Sequence, residues 1–482
     1  MVVLVLALAA TLTQAGPAWA HADLTSVTPA DGAELATAPT AVLLAFNEPV
    51  EVVQAGIRVL DESGSLMPVG AVHHPNGHPE QVDVFLPQAL SPGTFVVDWR
   101  VVSDDGHPVE GSSAFSVGGV TRAVREGSGA REATPRTTTG AMLVTRFVAL
   151  AGLTALVGGL AFLWLCWPDG WADGRARTVL VTAAVTTAAA SGIQLLLQGP
   201  YADGLGLAAA FDSGEIGATL GTRAGALGAV RGLSALAVGA MLTRSPSGRR
   251  WPRWGSLCGV VVLALATAAS GHAGVGHDRV VATAIDVVHL GAAAVWLGGL
   301  LMLLVGPLSS RSGAVGRTSF TRYSRLAATC VLLLVSTGVI AGAQRTGSLA
   351  ALTQTSYGGV LIVKAALLAT ILTFAAGARQ VVIRRLAPDT TPPQGPTWAA
   401  AVWSRGGVGT MQRADRQGSA TARQQRMDAG DLRRLRQSVV VELTLGVVVL
   451  VVTAWLVGLP PARSAYVPTS STGTVGSVTE RG

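Results

Sequence analysis

Charge is scarce in this chain, and lysine is almost missing. Charged residues make up 13% of the 482 residues and hydrophobic ones 49%, a balance that excludes an ordinary soluble globular protein and places most of the chain in a bilayer. Lys364 is the only lysine, so arginine carries the formal net charge of +7. Loops facing the cytoplasm collect arginine in any membrane protein, and the excess implies no nucleic-acid partner. Cysteine is limited to Cys166, Cys258 and Cys330; the part before them cannot depend on a disulfide. A basic residue is also missing near the start, which is atypical of a signal peptide. Residues 1–20 otherwise fit one, being apolar from Val2 to Ala10 and closing on Ala18-Trp19-Ala20, the small-x-small pattern of a cleavage site. The apolar stretch is shorter than the ~20 residues of a spanning helix, so we expect a cleaved leader.

Cleavage after Ala20 would make His21 the N-terminus. One residue would then offer two neutral nitrogen donors, its α-amine and its imidazole, and nitrogen-rich tetragonal sites suit Cu(II). Asp105-Gly106-His107 supplies further donors, since an aspartate and a histidine two apart on an extended segment point the same way.

Two regions follow, joined by a linker. Residues 21–119 contain short runs separated by turn residues, among them Val42 to Phe46, Ile57 to Leu60, Val82 to Leu86 and Ser113 to Val117. In Thr94 to Val102, Phe95, Val97, Trp99 and Val101 take one face, while Thr94, Asp98 and Arg100 take the other. This spacing predicts an all-β sandwich or barrel of immunoglobulin-like kind. Residues 120–139, rich in Arg, Thr, Gly and Glu, read as a tether. Residues 140–460 offer eight apolar stretches, near 141–166, 178–198, 225–243, 255–272, 281–305, 325–344, 359–378 and 438–459, and predict an all-α polytopic membrane domain. With the sandwich outside, the inner loops hold Arg175, Arg177, Arg244, Arg249, Arg250, Arg253, Arg311, Arg317, Arg322 and Arg325, followed by a basic segment at 379–437. The outer loops hold only Arg223, Arg279 and Arg345. The positive-inside rule then puts both ends, including the tail 461–482, outside the cytoplasmic membrane.

No histidine falls in a predicted inner loop. His21, His73, His74, His78 and His107 lie in the sandwich, His272 and His277 at the outer turn after the fourth stretch, and His289 in the fifth. Arg146, Gln194, Gln198, Arg231, Asp286, His289 and Lys364 share a layer within about ten residues of the outer ends, ~15 Å at helical rise. Ionisable groups at that depth face the bundle interior and serve a function by default. Asp286 and His289, three apart, share a helix face and could pass a metal ion inward. The bland alternative is an Asp286–Lys364 pair that only joins two helices. The cysteines are best taken as buried hydrophobes, and Ala294 with Gly298-Gly299 as close helix packing.

His21-Ala22-Asp23-Leu24 with Thr28-Pro29-Ala30-Asp31-Gly32, then Phe46-Asn47-Glu48-Pro49-Val50, and Val101 through Gly111 around Asp105-Gly106-His107 resemble the CopC copper-binding domain. Ser270-Gly271-His272-Ala273, Val288-His289-Leu290-Gly291, Trp296-Leu297-Gly298-Gly299-Leu300 and Tyr357-Gly358 followed by Lys364 resemble CopD. The resemblance, to a CopC-CopD fusion, implies a Cu(II) site made by the amine and ring of His21, Asp105 and His107, with Glu48 as a candidate outer ligand. It implies no methionine-rich Cu(I) site here, because Met67 is the only methionine of the domain. His73, His74 and His78 are either a weak second site or a solvated polar loop.

The expected function is Cu(II) capture outside the cell and copper transport across the cytoplasmic membrane, with import the expected direction. His272, His277, Asp286 and His289 form the membrane path, and extracytoplasmic copper chaperones are candidate partners. No enzyme activity is expected. Sequestration without transport is the alternative within this chemistry. A copper-brace oxidase is disfavoured because Asp105 would fill a position that oxygen needs, and a haem carrier because only His289 lies well inside a helix.

Overall fold

The computed structural model describes residues 22–86, 90–104, 106–119, 134–244, 250–271, 279–309, 313–386 and 429–465. The leader, His21, Asp105, His272, His277, most of the tether and the centre of the basic segment lie outside the described residues.

Nine strands form the first unit: β1 (Leu24–Thr28), β2 (Ala33–Leu35), β3 (Ala41–Phe46), β4 (Val50–Leu60), β5 (Leu66–Met67), β6 (Val72–His73), β7 (Gln81–Phe85), β8 (Gly93–Ser103) and β9 (Pro108–Val117). They make a four-stranded sheet, β1-β3-β7-β6, and a five-stranded one, β2-β9-β8-β4-β5. All pairs are antiparallel except β2 with β9. Period-two alternation decides what each strand buries. β3 turns Val42, Leu44 and Phe46 inward, opposite Val82 and Val84 of β7, and β8 turns in Phe95, Val97, Trp99 and Val101. One core forms between the sheets, where the Phe46 and Trp99 rings meet edge to face at 5.3 Å. The expected runs all lie within or beside these strands.

The helical part comprises α1 (Arg136–Leu165), α2 (Gly174–Asp203), α3 (Ser213–Gly221), α4 (Arg223–Arg244), α5 (Arg250–Ala269), α6 (Arg279–Val305), α7 (Gly313–Thr346), α8 (Leu349–Gln354), α9 (Ser356–Leu386), α10 (Ala429–Val457) and α11 (Ala462–Ala465). Among the described residues seven of these, α1, α2, α4, α6, α7, α9 and α10, are long and apolar enough to cross a membrane. The expected fourth stretch is the shorter apolar helix Trp254–Ala269. Leu156, Leu180, Leu263, Met302 and Leu303 anchor the core with at most 1% of their surface exposed. Cys166 and Cys330 are buried in that same core, while Cys258 is exposed. α1 and α6 cross at glycines: a Cβ on Gly158 would stand 1.9 Å from the Ala294 carbonyl oxygen, and one on Gly298 2.2 Å from that of Thr154. Only residues without a side chain permit this approach.

Candidate metal centre

The three segments with the CopC-like motifs meet at one end of the sandwich. Ala22, next to His21, is fully buried in the core. The Asp23 backbone N–H donates to Asn47 Oδ1 at 2.8 Å, and the Asn47 N–H donates back to the Asp23 carbonyl at 3.1 Å. The chain start is thereby tied to the Asn47-Glu48 segment. β4 begins opposite the end of β8, with Val50 facing Ser103, which sets Glu48 and His107 at the same end; both are buried, 4% and 6% exposed.

β8 ends at Ser103 and β9 begins at Pro108. The Gly106 N–H donates to the Ser103 carbonyl at 2.8 Å, and the Ser103 N–H to the His107 carbonyl at 3.0 Å. Gly106 has φ +82°, a conformation that glycine takes without strain. The hairpin closes here because residues 103 and 108 belong to neighbouring paired strands.

This turn is seated on the helices. Gln198 Nε2 of α2 donates to the Gly106 carbonyl at 2.5 Å, Arg223 at the start of α4 pairs with Asp104 at 2.7 Å, and Arg146 Nη2 of α1 lies 3.5 Å from His107 Nε2. Arg100, on the face of β8 turned away from the sandwich core, is only 2% exposed because the bundle covers it. Its guanidinium donates to the carbonyls of Ala202 at 2.5 Å and Tyr201 at 3.0 Å, and to Thr134 Oγ1 at 2.8 Å. The last carbonyls of a helix have no partner within it, and a cation there also meets the negative end of the helix dipole. At the same seam, burial and then the Asp104 charge push the Glu51 carboxyl up to about 7, against the Arg223 backbone N–H that it accepts.

Below the seat the bundle carries two polar groupings. Arg231 of α4 donates to Ser191 Oγ at 2.9 Å and to Gln194 Oε1. Asp286 of α6 pairs with Arg345 of α7 at 2.8 Å, where the bland alternative to a metal path had Lys364 as its partner. Arg345, expected in an outer loop, lies within the last turn of α7. His289, one turn from Asp286, bonds through Nδ1 to Thr337 Oγ1 at 2.9 Å. The Thr337 hydroxyl donates to the Leu333 carbonyl at 2.6 Å, so it accepts from the imidazole Nδ1–H. In that tautomer Nε2 keeps the lone pair.

The structure thus brings together His107, Glu48 and the chain start, and separately Asp286 and His289. His21, Asp105, His272 and His277 fall outside the described residues; among the described residues no three His, Cys, Asp or Glu side chains gather as a metal site. In the other histidine loop, the ring of His74 donates to the Gln81 carbonyl at 2.7 Å and that of His78 to Glu80 at 2.9 Å, the bonding of a polar surface loop. Arg100 and Arg223 were missed as functional residues. The available signal for the first was an arginine between Trp99 and Val101 in an apolar run.

Comparison with known proteins assigns each part. The CopC domain family matches residues 24–118, the copper resistance protein D-like N-terminal domain 137–280, and copper resistance protein D 317–456. Copper transport protein CutJ of Bacillus subtilis (strain 168) is 28% identical over 370 residues, 74% of this chain and 67% of that protein. Protein YobA of Escherichia coli (strain K12) is 38% identical over 99 residues, 20% of this chain and 80% of its own. Among solved structures, CopC from Methylosinus trichosporium OB3b is 34% identical and matches 20% of this chain and 93% of that one, with a TM-score of 0.19. The matched family is one of copper-binding and copper transport proteins and is not an enzyme family. With the sandwich at its N-terminus and the helices behind it, the chain belongs to this family as a CopC domain fused to a CopD membrane domain.

Proposed function

We propose that the CopC domain, outside the cell, captures Cu(II) and that the helices carry copper inward across the cytoplasmic membrane. The ligands are the amine and ring of His21, the Asp105 carboxylate and the His107 ring, with Glu48 as an outer ligand. His21 and Asp105 enter by their place in the sequence, next to Ala22 and between Asp104 and Gly106. The path runs by His272 and His277 to Asp286 and His289, where an imidazole and a carboxylate share one face of α6. The observation that carries the reading is the seat of the β8–β9 turn: a protein that only stored copper outside would not need its ligand loop bonded to three membrane helices, through Gln198, Arg223 and Arg146. The test is cellular copper at limiting external copper with the gene present and deleted. Import predicts less copper in the deletion strain. Equal content would favour sequestration, and more copper would mean export.

A further inference from the structure

His107 faces the bundle with a guanidinium set against one of its two ring nitrogens. Its Nδ1 is shut off from solvent, while Nε2 meets Arg146 Nη2 at 3.5 Å. A guanidinium has donors and no acceptor and is always charged, so opposite an imidazole nitrogen it can only donate to the lone pair. A copper ion needs the same lone pair and brings charge of the same sign. We propose that Arg146 is a discharge residue: with the CopC domain seated on the helices, Arg146 and copper compete for Nε2 of His107, so that docking weakens the copper site and releases copper beside the bundle. The proposal rests on His107 being a copper ligand, and on its binding through Nε2.

Both partners have close neighbours. Arg146 lies over the Tyr201 ring, 5.3 Å from its centroid, and a Cβ placed on Gly458 at the end of α10 would stand 2.8 Å from Arg146 Nη1. On the other side the turn is gripped at both flanks of Asp105. Arg223 holds Asp104, Gln198 holds the Gly106 carbonyl, and a Cβ on Gly106 would come within 3.0 Å of Ala224 Cβ. The Arg223 contact also neutralises Asp104, a carboxylate that would otherwise favour a bound cation. Linkage makes the effect reciprocal: if docking weakens copper binding, copper weakens docking by the same factor. The domain would load copper when lifted from the helices and surrender it when seated.

The test is a double-mutant cycle on the full chain in lipid nanodiscs, with Cu(II) affinity measured by competition with a chelator. Arg146→Met should tighten Cu(II) binding tenfold or more, and the gain should vanish when His107→Ala is also present. Cells carrying Arg146→Met should accumulate copper more slowly despite the tighter site. A folded Arg146→Met protein with unchanged or weaker affinity would overturn the proposal, as would a gain that persists without His107. If Arg146→Met does not accumulate, Arg146→Gln serves with the same expectation, since it too removes the charge. The two readings fail separately. If His107→Ala leaves wild-type affinity unchanged, the copper site itself is misplaced and the proposal falls with it. If His107→Ala weakens binding but neutral Arg146 variants do not tighten it, only the competition is wrong.

Discussion

Arg100 sits on the face of β8 that strand alternation turns away from the sandwich core, yet it is among the most buried side chains in the protein. Burying a guanidinium is costly unless its donors are satisfied, and the Tyr201 and Ala202 carbonyls with Thr134 Oγ1 satisfy them. At this scale the sequence announced the donors and not their neighbours. His107 and Glu48 could be singled out by motif, but that they lie at the same end of the sandwich follows from the strand register. The residue-level prediction separates the two histidine groups. In the full chain, His107→Ala, Asp105→Ala, or one extra residue placed before His21 should each weaken Cu(II) binding more than tenfold, about 1.4 kcal/mol or more. His73→Ala should change it little, because β6 places His73 in a strand opposite Asp83 and the loop that follows bonds to itself. Equal losses at His73 and His107 would relocate the site.

The elements that matter most are the β8–β9 turn and the helix ends beneath it. Helix existence was legible in long apolar runs, since each must cover about 20 residues to span a bilayer. Helix ends were not: α1 starts at Arg136 and α7 runs from Gly313, because polar residues extend a helix wherever packing or an ion pair supports them. At the seam between the units, Glu51 is raised from 4.5 to about 7 by burial and by Asp104, with Arg223 facing both. A carboxyl with a raised pKa favours the folded state while protonated. Below ~4.5 folded and unfolded chains both hold the proton; as pH climbs toward about 7 the folded state loses stability, and above that the loss levels off. Thermal unfolding of the full chain should therefore show Glu51→Gln gaining on the wild type between pH 5 and pH 7.5, with no further gain at higher pH. A constant difference across that range would mean that Glu51 does not titrate at the seam.

For the whole molecule, the CopC domain and the bundle are joined through Gln198, Arg223 and Arg146. Replacing His289 by Ala should abolish copper uptake and leave Cu(II) binding at the CopC domain intact. Arg345→Met, which leaves Asp286 without its guanidinium inside the helices, should instead lower the amount of protein in the membrane. Normal uptake by a well-expressed His289→Ala variant would remove this route. By itself the sequence determined the two-part architecture, the strands and most of the apolar spans, because alternation and apolar length are local properties. Only the tertiary structure decided that Asp286 pairs with Arg345, and that Arg146, Arg223 and Gln198 meet His107, Asp104 and Gly106 where β8 passes into β9. Those outcomes depend on which side chains of distant segments reach the same few ångströms, and Arg100 and Ala202, 102 residues apart in sequence, meet only when a strand end and a helix end are packed together.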